Sequence, residues 1–140
     1  LEIRNGDLYG LCGNCGKDIQ MFFGQSVFDK QLVWHLSYDC PHCGEAIELD
    51  DTGTLPNELR EAILAKEGTW NFTVLETEER ATLAVKILRA AMSLSLAEAM
   101  KLKKKMPGGV CSGTKAEVDR LKQLLDAEGL KAEIGINYIA

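Results

Sequence analysis

In the first fifty residues the apolar positions crowd into two runs, Ile19 to Phe23 and Val27 to Leu36, both rich in β-branched and aromatic side chains. Runs of that kind read as strands, and Gly24-Gln25-Ser26 between them supplies the residues of a turn. Asp50-Asp51-Thr52-Gly53 reads as a second turn that ends the β-rich stretch. Past it the period lengthens. Pro56 suits the first turn of a helix that runs to about Lys66 and stops at Gly68, with Leu59, Ile63 and Leu64 on one face. That face is expected to be core between the two halves of the chain, which makes the helix a connecting brace.

From Trp70 the pattern predicts strand, helix, helix, short strand, helix, strand. Phe72 to Leu75 alternates as a strand does, and Thr77 precedes a helix through Ala91 with Leu83, Ile87, Leu88 and Ala91 inward. Ser95-Leu-Ala-Glu98 and Thr114-Lys-Ala-Glu117 each have the form of a capping box, in which the hydroxyl accepts an orphan amide and the glutamate reaches back. Pro107-Gly108-Gly109 reads as a loop and lacks the Gly-Lys-Ser/Thr ending of a phosphate cradle. The last helix carries an inner stripe of Val118, Leu121, Leu124 and Leu125 and is closed by Gly129. Residues 130 to 139, with Ile134, Ile136 and Ile139, form the final strand. The fold class is therefore α+β, with a small β unit over residues 1–53, a connecting helix over 54–69 and a β-α-α-β-α-β domain over 70–140.

A unit of about fifty residues buries too little apolar surface to hold itself together, and such units use metals or disulfides. Four of the five cysteines fall there, in two close pairs. Leu8 to Ile19 and Leu36 to Ile47 repeat one another at an offset of 28, both spelling L-x3-C-x2-C-G-x2-I. Two residues between cysteines let one tight turn aim both sulfurs at a single ion, and the following glycine lets the backbone turn closely. Cys12, Cys15, Cys40 and Cys43 are thus the expected ligands of one zinc ion. The arrangement resembles the zinc ribbon, in which strands bring two such knuckles together. With thiolates at all four positions the site is closed and structural.

The competing reading is thiol redox chemistry, since Cys40-Pro-His-Cys43 matches the active-site tetrapeptide of certain thiol oxidases. Such a pair usually opens a helix in a thioredoxin-like setting, whereas a β-rich stretch precedes Cys40 and the polar Glu45 to Asp51 follows Cys43. His42 is expected to be exposed, His35 to be a half-buried strand residue, and Cys111 a small buried side chain with no base beside it. No Ser/His/Asp set or nucleotide loop accompanies them, so no enzyme is expected.

Residues 70 to 136 resemble the C-terminal domain of the bacterial ribosomal stalk protein. The resemblance lies in element order, in Lys86-Ile-Leu-Arg89 followed by Leu94-Ser-Leu-Ala-Glu-Ala99, and in Lys115 to Gly129. The adaptor that feeds substrates to the Clp protease shares that fold. The resemblance implies a protein-binding face at Val85, Lys86 and Arg89, where the family contacts translational GTPases. Ala81 and Met100 stand where the family has further basic contacts, Ser93 and Ser95 replace flanking glycines, and the ribbon stands where the family has its dimerising helices and hinge.

The net charge of −5 is unevenly spread: up to Pro56, three Arg or Lys face nine Asp or Glu, and after it thirteen face twelve. An acidic ribbon disfavours nucleic acid, whose affinity comes largely from Lys and Arg. Lys101-Leu-Lys-Lys-Lys105 reads as a favourable cationic end to its helix. No apolar run approaches a membrane span and no signal-peptide core opens the chain, so a soluble cytoplasmic protein is expected. The leading expectation is a non-catalytic, zinc-containing interaction protein. An immunity or inhibitor protein covering a basic toxin or enzyme, or a translation-associated binder, are the alternatives.

Overall fold

The computed structural model describes residues 1–136 and divides the chain into two compact units, Leu1–Gly68 and from Thr69 onward. The first is an antiparallel meander of five strands in sequence order: β1 (Glu2–Arg4), β2 (Asp7–Leu11), β3 (Asp18–Phe28), β4 (Gln31–Asp39) and β5 (Ala46–Thr52), followed by helix α1 (Asn57–Glu67). The β1–β2 hairpin turns at Asn5-Gly6, both at positive φ (52° and 84°), the mirror-image turn whose twist suits paired strands. Arg4 lies 4.2 Å over the Tyr9 ring and donates to both Asp18 carboxylate oxygens at 2.7 and 2.8 Å, tying β1 across β2 to the start of β3.

The β3–β4 hairpin corrects one expectation. Its turn is Asp29-Lys30, at φ 51° and 60°, while Gly24-Gln25-Ser26 continues inside β3. Gly24 serves packing here: it pairs with His35, and a Cβ at Gly24 would lie 2.4 Å from the imidazole Cε1. A second correction concerns Asp50 to Thr52, which extend the edge strand β5 opposite His35 to Val33; the chain turns only at Gly53 (φ 86°). Polar sequence misleads at an exposed sheet edge, because backbone pairing there needs no buried side chain.

Helix α1 ends at Gly68, whose φ of 83° takes the chain out of the helix. Leu59, Ala62 and Ile63 are buried in one cluster with Leu8, Ile19 and Met21, so this helix completes the core of the first unit.

The second unit runs β6 (Trp70–Val74), α2 (Glu78–Met92), α3 (Leu96–Lys104), β7 (Gly108–Gly113), α4 (Lys115–Asp126), β8 (Ala132–Ile136), with β6 central in an antiparallel β7-β6-β8 sheet. Both capping boxes form: Ser95 Oγ accepts from Glu98 N at 3.1 Å and Thr114 Oγ1 from Glu117 N at 3.1 Å, each glutamate accepting in return. Phe72, Val74, Leu88, Val118 and Leu125 form the centre of the core.

Here too the structure departs from the expected stripe. Leu83 is 41% exposed, while Leu88 is buried, Ile87 and Ala91 pack against the core, and α2 adds Ala81 and Ala84 to the buried face. One residue is about 100° of helix rotation, so packing through Ala84 turns its neighbour outward. Gly108 and Gly109 belong to β7, paired with Val74 and Thr73, and not to a loop. At Gly108 a Cβ would meet the Lys105 carbonyl at 2.8 Å. Helix α4 ends at Asp126; Gly129 (φ 68°) reverses the chain and the Leu130 amide returns to the Leu125 carbonyl at 3.0 Å. The final strand covers Ala132–Ile136, and Ile139 lies outside the described residues.

Glu76, buried where β6 leads into α2, accepts from Arg80 Nε and Nη2 at 3.0 Å each and from the Lys131 amide at 2.7 Å. It joins the two ends of the domain, and Arg80 first, then the Lys131 amide, holds its pKa below the usual carboxylate value. Among the described residues no helix is long and apolar enough to cross a membrane.

Candidate metal centre

Each cysteine pair sits in a tight turn between strands, and the two turns match bond for bond. In the first, the Cys12 amide donates to the Lys17 carbonyl at 2.9 Å and the Gly16 amide to the Cys12 carbonyl at 2.9 Å. In the second, Cys40 donates to Glu45 at 2.8 Å and Gly44 to Cys40 at 2.9 Å. Gly16 and Gly44 have φ of 74° and 81°, a region that a side chain disfavours, which explains the glycine after each second cysteine. The first cysteine of each pair is buried, Cys12 and Cys40 lying in the core cluster beneath α1, and the second is exposed.

What brings the turns together is the long β3–β4 hairpin. The chain leaves the first turn along β3, reverses at Asp29-Lys30, and returns along β4 to the second turn beside the first. Tyr38, buried on β4, accepts a hydrogen bond from the Gly13 amide at 3.2 Å and so joins the second arm to the first turn.

The result is four sulfurs within 4.8 Å of one another. Two close approaches cross between the turns, Cys12 to Cys43 and Cys15 to Cys40, both at 3.6 Å. A tetrahedral ion with metal–sulfur bonds of about 2.3 Å spaces its ligands by about 3.8 Å, so the cluster fits a single metal ion. Two sulfurs joined by a disulfide stand about 2.05 Å apart, and all five cysteines are free thiols.

The surroundings of the second turn favour its sulfurs as anions. The Asn14 side chain, then the Glu45 amide, pull the Cys43 pKa down to about 6. At Cys40 burial pushes upward, but the amides of Cys43 and His42 outweigh it and the net shift is downward. At Cys15 the Lys17 amide pulls downward, yet burial and hydrogen bonding with the other three thiols carry the value up to about 11. Four acidic groups this close cannot all ionise unaided, since each new charge opposes the next. A divalent cation at their centre removes that opposition.

The remaining singled-out residues do not join this cluster. His42 is exposed between its cysteines, and His35, expected half-buried, is exposed above Gly24. Cys111 is half-buried on β7 opposite Phe72, where burial first of all pushes its thiol pKa up. On α2, Lys86 and Arg89 are exposed, Val85 is half-buried, and Arg89 Nε donates to the Leu94 carbonyl at 3.2 Å. Lys101, Lys103, Lys104 and Lys105 are exposed around the end of α3.

Sequence reasoning missed Tyr38 and Asn14 as parts of the site. The signal for Tyr38 was an asymmetry in the repeat: its counterpart at the offset of 28 is Gly10, so one arm carries a phenol where the other carries no side chain. No protein-family model, curated protein or solved structure matches the chain.

Proposed function

We propose that this protein is a non-catalytic interaction module whose first unit is braced by one structural zinc ion on Cys12, Cys15, Cys40 and Cys43. The convergence of all four sulfurs within 4.8 Å carries this reading. Zinc suits an all-thiolate tetrahedron, and thiolates in all four positions leave none for an activated water or a substrate. A reducing compartment such as the cytoplasm keeps such thiols available. The second unit then supplies the partner surface, with Val85, Lys86 and Arg89 on α2 as the contact residues that its resemblance to the ribosomal stalk domain implies. Their exposure supports that reading only in part, because Val85 is half-buried.

A second reading, an inhibitor or immunity protein for a basic enzyme or toxin, is favoured by the edge strand β5. Its Glu48, Asp50 and Asp51 are all exposed, which suits a cationic partner approaching the sheet edge.

Elemental analysis of gently purified protein, combined with thiol alkylation before and after chelation, tests the metal. One zinc per chain is expected, with the four clustered cysteines protected until zinc is removed. A metal-free protein with a Cys40–Cys43 disulfide that cycles with thiol reagents would establish the redox reading instead. For the partner surface, binding to an elongation factor that Lys86→Glu abolishes supports the translation-type contact. Unchanged binding by that variant rejects it.

A further inference from the structure

The outer face of the β3–β4–β5 sheet is left unused by this reading. Helix α1 packs against the face that carries Ile19 and Met21, and β3 turns Gln20, Phe22, Gly24, Ser26 and Phe28 to the other side. Phe22 is 57% exposed and Phe28 75% exposed. Six residues of strand set the two rings about 20 Å apart. Between them lie only Gly24, with the His35 ring against it, and Ser26 paired with Val33. The face is therefore a shallow trough with an aromatic wall at each end. Its β5 side carries carboxylates: Ser37 pairs with Glu48 and His35 with Asp50, both acids exposed.

The other unit carries a surface of matching character. On α3, Leu96 and Met100 are 60% and 57% exposed. Leu96, Met100 and Lys104 follow one another at intervals of four, with Lys103 three beyond Met100, so all four share one side of the helix. Among the described residues neither Lys103 nor Lys104 has a carboxylate within ion-pair distance. Glu98 is turned to its capping box.

We propose that this trough docks helix α3 of a second copy of the chain. The dimensions leave room for it. A helix with its side chains is about 10–12 Å across and fits between walls about 20 Å apart. Crossing from β3 to β5 covers two strand spacings, about 9.6 Å, while Leu96 to Lys104 spans about 12 Å of helix. Laid in that direction, α3 sets Leu96 and Met100 on the β3 side between Phe22 and Phe28, and Lys103 and Lys104 over Glu48 and Asp50. The charges agree as well: the trough lies in the half of the chain where nine acids face three bases up to Pro56, and the docking segment is basic. Each chain carries both surfaces, so the contact is heterologous. Two copies either exchange helices reciprocally and close, or add head to tail. The inference rests on the sheet and on α3, whichever metal the sulfurs hold.

Sedimentation velocity of the full zinc-loaded chain over a dilution series in low salt tests it. Association that grows with concentration and weakens as salt rises is expected. Lys103→Glu with Lys104→Glu, and separately Glu48→Lys with Asp50→Lys, should each weaken it by about tenfold or more, because like charges then face one another. Mixing the two double variants should restore it, since each reversed surface meets a complementary one. Met100→Gln and Phe28→Gln weaken it by the apolar route and provide a second pair should either charge variant fold poorly. A monomer at every concentration in low salt overturns the proposal, as does self-association unaffected by these changes or a mixture of variants that stays monomeric. Zinc content measured on the same samples keeps failure of the metal reading separate from failure of this one.

Discussion

The two units of this protein solve the same problem by different means. In the second, a three-stranded sheet is covered by helices, and α4 packs against all of its strands, so that Phe72, Val74 and Leu125 are wholly removed from water. In the first, a longer sheet has one helix on one face, while its other face leaves Phe22 and Phe28 in solvent. Two of the buried residues in that smaller core, Cys12 and Cys40, are also members of the sulfur cluster. The difference shows what a single-layer fold lacks. Apolar burial contributes about 25 cal/mol per Å², and a sheet with one covered face buries less of it, which is where an ion held by the sulfur cluster would add cross-linking.

The largest effect should come from the sulfur site. Cys15→Ala or Cys43→Ala, or exhaustive chelation, is expected to unfold the first unit, since structural zinc contributes an apparent ~10–16 kcal/mol in small fingers. Each unit holds one tryptophan, Trp34 or Trp70. Fluorescence melts of Trp34→Phe and Trp70→Phe backgrounds therefore separate the two transitions, and the second should not move. A cooperative transition of the first unit that survives complete zinc removal would erase the contrast between the units.

Next is the core of the second unit. Phe72→Ala removes the largest fully buried side chain among the described residues and should cost about 3–5 kcal/mol. The denaturant midpoint followed through Trp70 should fall, with zinc retention unaffected. A smaller change is expected at the start of α4. Thr114→Ala removes the acceptor for the Glu117 amide and should cost about 1–2 kcal/mol, whereas Thr114→Ser should restore most of it in the same melt.

The last test reads a slope that appears only in acid. The folded pKa of Glu76 lies below its ordinary value, held there first by Arg80 and then by the Lys131 amide. The native state therefore binds this proton less readily than the unfolded chain. Its contribution is complete above the unfolded carboxylate value of about 4.3 and is lost as pH falls through the lower folded value. An acid titration of the second unit should steepen in that window, and Glu76→Gln should flatten it. The same slope in both proteins would remove Glu76 as its source.

Much of this was legible in the sequence, for identifiable reasons. The capping boxes at Ser95 and Thr114 depend on four neighbouring residues each, and both form as written. Helix α1 begins after Pro56 and ends at Gly68 because both signals act within one turn. The hairpin turn was misplaced because Gly24-Gln25-Ser26 is the better local turn, while the Gly24–His35 pairing and the approach of that ring favour a strand. The first hairpin went unread although Asn5-Gly6 announces it, since β1 is three exposed residues with no apolar run. Leu83 was assigned inward because several apolar stripes can be drawn on α2, and only contact with the sheet selects the one through Ala84 and Leu88.

The sequence by itself determined which four sulfurs make up the cluster, because a repeated Cys-x2-Cys-Gly spacing encodes a local turn that carries its own geometry wherever it is placed. It also determined the order of helices and strands after Trp70, through caps and periods that operate over a few residues. Only the tertiary structure decided that the two turns meet, where the long hairpin reverses, that Tyr38 reaches Gly13, and which side of α2 is buried. Those are contacts between residues distant in the chain, and they are fixed by which surfaces exclude water together, a property no local segment possesses alone.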